Sequence, residues 1–112
     1  MKYYHDLYLS DSLISKREDI IEKLEKNQWQ LSKFLIVLSQ SENNHLEFFD
    51  SVLLTQNLMP KEELFVIGIA EGYTGALELV EKITQDVYDV TKGTDIRQYL
   101  LATQKEFEER FV

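Results

Sequence analysis

The sequence has no cysteine, a single proline and no apolar run that approaches the length of a membrane span. The absence of cysteine excludes disulfide bonds, thiolate catalysis, and zinc or iron–sulfur sites that depend on cysteine ligands. The longest apolar runs are far shorter than the roughly 18–20 residues that a transmembrane helix needs. Residues 1–12 lack the apolar stretch of a signal peptide. We therefore expect a cytoplasmic protein.

Basic residues are scarce relative to acidic ones. The chain carries 12 Lys and Arg residues against 20 Asp and Glu residues, which gives a formal net charge of -8. This charge repels nucleic-acid backbones and anionic lipid, and binding to either depends on a basic patch. The densest basic positions, in residues 16–26, are interleaved with acidic residues, as on a solvated helix face. We expect neither nucleic acid nor a membrane as a partner.

The clearest structural signal lies in residues 64–80, which read LFVIGIAEGYTGALELV. Residues 64–70 are apolar without polar alternation, a pattern typical of a strand covered on both faces, as parallel strands in α/β proteins are. A glycine turn follows. Apolar residues then recur at helical spacing on one face: Ala76, Val80, Ile83 and Val87. The pattern predicts a strand, a turn and a helix that follows Thr74 and runs to about Asp89.

Two further strands are predicted before this segment. Residues 34–38, FLIVL, form a second apolar run, and residues 3–10 are dense in β-forming side chains. A first helix lies between them, because Ser15 and Glu18 have the spacing of a capping box and the following apolar residues recur at helical spacing up to residue 26.

Two more helices complete the prediction. Asn44 is placed to cap a second helix whose buried face would be Leu46, Phe49 and Leu53. Asp95 and Gln98 form another cap pair. One apolar stripe follows them and predicts a C-terminal helix: Ile96, Leu100, Thr103 and Phe107.

These elements follow the order β-α-β-α-β-α-α, with a helix in each connection between strands. That order predicts an α/β fold of three layers, with a mainly parallel three-stranded sheet and an extra C-terminal helix. By analogy with doubly wound sheets we expect the strand order 2-1-3. The sequence has no internal repeat and no linker rich in Gly, Pro or Ser, so residues 1–112 are predicted to form a single domain.

Three segments carry a resemblance to other proteins: LYLSDSL near the start, FLIVLSQ, and VIGIAEGYTGALELVEKI. Over most of its length the chain resembles small uncharacterised cytosolic α/β proteins of Gram-positive anaerobic bacteria. The resemblance implies a bacterial, cytosolic protein. It implies no known activity and no catalytic residue.

In open α/β sheets ligands bind beyond the carboxyl ends of the strands, where the turns after the predicted strands would meet. Ala70, Gly72 and Gly75 match the dinucleotide-binding fingerprint with alanine in place of the first glycine. Glu71 puts a negative charge beside the expected pyrophosphate, and a tight turn needs Gly72 at positive φ whether or not a ligand binds. The candidate ligand-binding residues are those of these turns: Ser10, Ser39, Asn43, Asn44, Glu71, Gly72, Thr74 and Gly75.

No pattern of catalytic or metal-binding residues is visible elsewhere. Ala76 and Leu77 stand where a P-loop requires a lysine and a hydroxyl. His45, Glu47 and Asp50 do not share one face of the predicted second helix, which argues against a metal site. No serine lies in a nucleophile-elbow sequence. We therefore expect no catalytic residue, no metal and no cofactor, which favours a protein that is not an enzyme and leaves an enzyme as the third hypothesis.

The chain has many large apolar side chains for a small three-stranded core; most of them are expected to lie in the core, and any surplus would be exposed. Those in question are Trp29, Phe48, Val52, Phe107 and Phe111. An exposed aromatic patch would mark a partner surface. We interpret the chain as a non-catalytic interaction or regulatory module that self-associates, with a homo-oligomer or another protein as its partner. The alternative is a small-ligand or nucleotide-binding domain that uses the turns after the second and third strands.

Overall fold

The apolar run of residues 64–70 contributes an inner strand of the sheet in the computed structural model, which describes residues 1–41 and 45–111. Within those two ranges no helix is long and apolar enough to cross a membrane. The elements are β1 (Lys2–Leu9), a 3-10 helix (Asp11–Lys16), α1 (Arg17–Glu25), β2 (Lys33–Leu38), β3 (Leu46–Asp50), α2 (Val52–Thr55), a short 3-10 helix (Lys61–Glu63), β4 (Phe65–Glu71), α3 (Gly72–Thr91) and α4 (Ile96–Arg110).

Within the described residues the sheet has four strands, in the order β1-β4-β2-β3. β1 runs parallel to β4, whereas β2 runs antiparallel to both β4 and β3. The predicted α/β class is confirmed, but the prediction of a mainly parallel three-stranded sheet is wrong. The predicted strand order 2-1-3 is also wrong, because the strand expected to be third, β4, lies between the other two.

β3 occupies residues whose spacing predicted a helix. Leu46, Phe49 and Leu53 do recur at helical spacing, yet Leu46–Asp50 is extended and pairs with β2 in an unbroken antiparallel register. Leu46 and Phe48 pack against the core on one face of the sheet, and Phe49 packs on the other. The backbone pairing and the two-sided packing of β3 outweigh its local helical pattern.

Helices cover both faces of the sheet. On one face α3 and α4 enclose a core that includes Ile67 and Ile83. On the other face the first 3-10 helix, α1 and α2 enclose a core that includes Ile20 and Val66. β4 is therefore buried on both faces, which explains why its sequence shows no polar alternation.

The ends of the helices agree only partly with the sequence pattern. The side chain of Asp95 accepts a hydrogen bond from the Gln98 N–H (3.1 Å), so the predicted cap of α4 is confirmed. The predicted capping box at Ser15 and Glu18 is wrong, because the chain there is a 3-10 helix and α1 begins after Lys16 without a side-chain cap. Ser15 lies within the 3-10 helix, so its side chain is not at the position from which it could accept the first free N–H groups of α1.

β4 contains a bulge that the sequence pattern did not predict. Ile36 of β2 stands opposite Gly68, and the next residue of β2 stands opposite Val66, so Ile67 is an extra residue in β4. The extra residue interrupts the alternation of side chains, and Ile67 and Gly68 both face α3.

Gly72 has a φ of +72°, which confirms the expectation of a left-handed turn between β4 and α3. A Cβ at Gly72 would meet no atom within 4 Å, so an alanine there would suffer from backbone strain alone. We expect Gly72→Ala to lower the free energy of unfolding by about 1 kcal/mol. At Gly75 the new Cβ would lie 3.3 Å from Ser10 Oγ, and improved helix propensity would offset that contact. Urea unfolding of both variants tests this, and equal losses would contradict it.

Candidate functional site

The chain leaves the two parallel strands, β1 and β4, toward opposite faces of the sheet. After β1 it continues into the 3-10 helix and α1 on one face, and after β4 it continues into α3 on the other. This divergence opens a crevice beyond the carboxyl ends of both strands, the position at which open α/β sheets bind ligands. The crevice has a volume of about 450 Å³.

Three of the predicted ligand-binding residues, Ser10, Glu71 and Gly75, line this crevice together. The Ser10 hydroxyl oxygen accepts a hydrogen bond from the Glu71 N–H (3.0 Å). Gly72 donates its N–H to a carbonyl in the loop before β2 (2.7 Å). Thr74 is exposed on the first turn of α3. The polar groups of Ser10 and Gly72 thus hold the turn together, and a role of these residues in binding stays a prediction.

Charge in the crevice disfavours a phosphate ligand. Among the described residues that line it, Asp11, Glu71 and Glu78 contribute carboxylates and Lys82 alone contributes an ammonium group. Glu71 also forms an ion pair with Lys33 (2.9 Å). A phosphate or pyrophosphate would meet more negative than positive charge here, so the nucleotide interpretation of the glycine turn has no electrostatic support.

Ser39 lies at the opposite end of the sheet from the crevice, because β2 is antiparallel to β1 and β4. The expectation that the turns after the second and third strands meet at one edge is therefore wrong. The Ser39 hydroxyl is buried, donates to Glu47 Oε1 (2.8 Å) and accepts from the Ser41 N–H (3.0 Å). Asn43 and Asn44, two further predicted ligand-binding residues, lie outside the described residues.

Both histidines contact other parts of the protein. His45 Nδ1 accepts a hydrogen bond from the Arg97 N–H (3.1 Å) and so satisfies an N–H in the first turn of α4. The His5 ring stacks on Phe107, with centroids 4.8 Å apart. Within residues 1–41 and 45–111, no three His, Asp or Glu side chains are grouped as metal ligands.

Three tyrosines of β1 are held in their neutral form. Tyr3 donates to Glu25 Oε1 (2.6 Å) and Tyr8 donates to Asp86 Oδ2 (2.8 Å). Burial, and then the hydrogen bond to a carboxylate, raises the pKa of Tyr3 and of Tyr8, and burial also raises the pKa of Tyr4. The Tyr3 and Tyr8 phenols are therefore structural donors rather than bases.

The raised tyrosine pKa values predict a loss of stability at alkaline pH. In the unfolded chain each tyrosine releases its proton near pH 10, whereas Tyr3, Tyr4 and Tyr8 keep theirs in the folded state. The contribution of these tyrosines to the free energy of unfolding is therefore complete below about pH 10, and it declines as the pH rises above that value. Urea unfolding at a series of pH values measures this decline. Tyr8→Phe should make it shallower, and an unchanged slope would contradict the assignment.

The two edges of the sheet differ in how they are protected. The outer edge of β1 is covered by α4, where the Gln104 side chain accepts the His5 N–H (2.7 Å). Lys2 lies at the start of the same strand and pairs with Glu108 of α4 (2.6 Å). The register between β1 and β4 is also irregular. A covering helix, a lysine and an irregular strand are features that block pairing with another chain.

In the part of the chain that the structure describes, the outer edge of β3 has no lysine and no irregularity, and no helix side chain bonds the backbone of Leu46–Asp50; α4 contacts His45, the residue before the strand. β3 ends the strand order, pairs with β2 without a bulge, and has no lysine or proline in its sequence, LEFFD. Sequence reasoning missed this edge because the helical spacing hid the strand. The alternation of Leu46 and Phe48 around Glu47 was the signal that could have identified it.

An aromatic cluster of Phe34, Phe48 and Tyr73 borders the β3 edge. The Phe48 and Tyr73 rings are 5.6 Å apart, and Phe34 lies 6.3 Å from Phe48 and 6.2 Å from Tyr73. Phe48 is half-buried, and Tyr73 is 60% exposed. Trp29 and Phe111, from the predicted apolar surplus, are also exposed, at 63% and 69%.

Comparison with protein-family models, with curated protein sequences and with solved structures found no match to this chain.

Proposed function

We propose that this chain is a non-catalytic interaction module that self-associates through the outer edge of β3. The observation that carries the proposal is the contrast between the two edges of one sheet, with β1 covered and β3 open. An uncovered, regular edge strand presents a row of N–H and C=O groups to any strand that can pair with it.

The aromatic cluster beside β3 also indicates that this edge is the surface of self-association. Backbone pairing at an edge gives little preference for one partner, whereas large side chains beside the strand add both contact area and selectivity. Phe48 and Tyr73 lie at the edge, and Tyr73 remains largely exposed in the single chain. A partner strand on β3 would remove part of this aromatic surface from water.

Light scattering or sedimentation over a concentration series tests the proposal. We expect the mass to rise from 13.2 kDa toward twice that value with increasing concentration. The buffer should have physiological ionic strength, which screens the repulsion between two chains of net charge -8. A mass of 13.2 kDa at every concentration would contradict self-association.

A pair of matched variants on α3 assigns the association to the β3 side of the molecule. Tyr73 and Tyr88 are both exposed, at 60% and 48%, but only Tyr73 belongs to the aromatic cluster. We expect Tyr73→Glu to weaken association about tenfold, because both copies lose an aromatic contact and gain a negative charge. Tyr88→Glu should leave the association unchanged. Equal effects of the two substitutions would contradict the location.

A second candidate function is the binding of a small polar ligand in the crevice beyond β1 and β4. The divergence of the two connections at that point favours it. Thermal unfolding with a panel of nucleotides and small metabolites tests this candidate. The excess of carboxylates in the lining predicts that nucleotides give no shift, and a panel without any shift would remove the candidate.

A further inference from the structure

We propose that two copies of the chain pair their β3 strands antiparallel about a twofold axis at Phe48, which joins their sheets into one continuous sheet. This inference rests on the proposed self-association and specifies its interface, register and symmetry.

The direction of the backbone groups in β3 limits which residues can pair outward. Ser39 donates its N–H to the His45 carbonyl (3.0 Å), and Ser51 donates to the Lys33 carbonyl (2.8 Å), so hydrogen-bonded pairs with β2 occur at both ends of β3. Hydrogen-bonded pairs alternate with non-hydrogen-bonded pairs along an antiparallel ladder. The N–H and C=O groups of residues 47 and 49 therefore point toward β2. Those of residues 46, 48 and 50 point outward, toward the free edge.

A twofold axis at Phe48 uses every outward group. Phe48 then pairs with Phe48 of the second copy, and Leu46 pairs with Asp50 of the second copy. Each pair exchanges two N–H···O=C hydrogen bonds. Glu47 stands opposite Phe49 of the second copy, so no like charges are directly opposed.

The neighbouring registers fit less well. An axis at Glu47 would place the two Glu47 side chains directly opposite each other, which is unfavourable in a cross-strand pair. An axis at Phe49 would place Leu46 opposite Val52, which lies in α2 and cannot continue the ladder. The axis at Phe48 is the one of these three that avoids opposed carboxylates and keeps all of Leu46–Asp50 paired.

The side chains favour a second copy over an unrelated strand. In the paired strands the two Phe48 rings come together, and each ring already contacts Phe34 and Tyr73 of its own chain. The two aromatic clusters would therefore merge across the axis and cover both copies of Tyr73. Cross-strand aromatic pairs are among the favourable contacts in antiparallel sheets.

Oxidative cross-linking tests the register, because the natural chain has no cysteine and gives no background. In a hydrogen-bonded antiparallel pair the Cα atoms are about 5.5 Å apart, which is within the range that a disulfide bridges. We expect Phe48→Cys to form a covalent dimer under mild oxidation. Glu47→Cys, one position away, should cross-link at least tenfold more slowly, because its counterpart in the second copy is a diagonal neighbour.

Leu46→Pro is a second test that needs no disulfide. The Leu46 N–H faces outward, so proline removes a donor from the free edge without breaking the ladder with β2. We expect association to weaken about tenfold and the unfolding midpoint at low concentration to fall modestly, because the Leu46 side chain also packs against the core. Retention of the dimer in this variant would overturn the inference.

The outcomes separate this inference from the proposed function. If the natural chain dimerises but Phe48→Cys cross-links no faster than Glu47→Cys, the twofold register is overturned while self-association stands. If the natural chain is monomeric at every concentration, self-association and the twofold register are both overturned. An extended segment of a different protein would then be the candidate partner for the β3 edge.

Discussion

Gly68→Ala is expected to lower the free energy of unfolding by about 2 to 3 kcal/mol. The bulge at Ile67 turns Gly68 toward α3, where a Cβ would lie 3.1 Å from Leu79 Cδ2. It would also lie 3.1 Å from the carbonyl oxygen and from Cβ of Tyr8, on the neighbouring strand. The leucine side chain can move, but the Tyr8 carbonyl belongs to β1 and can move only if the strand does. The expected loss is therefore overpacking rather than strain at the glycine itself.

Gly93→Ala is the matched control for Gly68→Ala. Gly93 lies in the loop between α3 and α4, and a Cβ there would be 3.6 Å from its nearest neighbour, Thr91 Oγ1, which is an ordinary contact. We expect a change of less than about 0.5 kcal/mol. Urea unfolding of both variants measures the difference. If Gly68→Ala leaves the free energy of unfolding unchanged, β1 and β4 lie further apart at this position than in the structure.

Leu100→Ala is expected to lower the free energy of unfolding by about 3 to 4 kcal/mol. Leu100 is 0% exposed and lies in the core between α4 and the sheet. Its truncation would leave a cavity between α4, α3 and the sheet that these elements cannot fill without shifting. The result measures how firmly α4 is anchored, and α4 is the element that covers the outer edge of β1.

The next residue along α4 provides the control for this prediction. Leu101 is 45% exposed, so Leu101→Ala should change stability by less than about 0.5 kcal/mol. The two variants remove the same atoms from the same turn of one helix. Equal destabilisation by both would mean that α4 presents a different face to the sheet.

The strands and helices that sequence reasoning placed correctly are those with a long or strongly periodic pattern. β4 and β2 are continuous apolar runs, and α3 repeats its apolar residues over 20 positions. β3 was misassigned because it has only five residues, and Leu46, Phe49 and Leu53 fit a helical face by coincidence. Only the presence of β2 beside it decides that the segment is extended.

The error at β3 also misplaced Ser39 in the predicted site. A helix between the second and third strands would have made them parallel and brought Ser39 to the same edge as Gly75. β2 instead runs antiparallel to both β3 and β4. Ser10, Glu71 and Gly75 do meet at one edge, because they lie at or just after the carboxyl ends of the two strands that are in fact parallel. The bulge at Ile67 left no signal, since an inserted apolar residue in an apolar run changes no pattern.

The contacts that cover the outer edge of β1 have a consequence for the order in which the protein can fold during synthesis. Tyr4 contacts Thr103, and His5 contacts Gln104, in each case across 99 positions of the chain. The ribosome therefore releases the first strand long before the helix that shields it. Until that helix emerges, a nascent sheet has two open edges instead of one, and the interval is when unintended strand pairing between neighbouring nascent chains is most favoured.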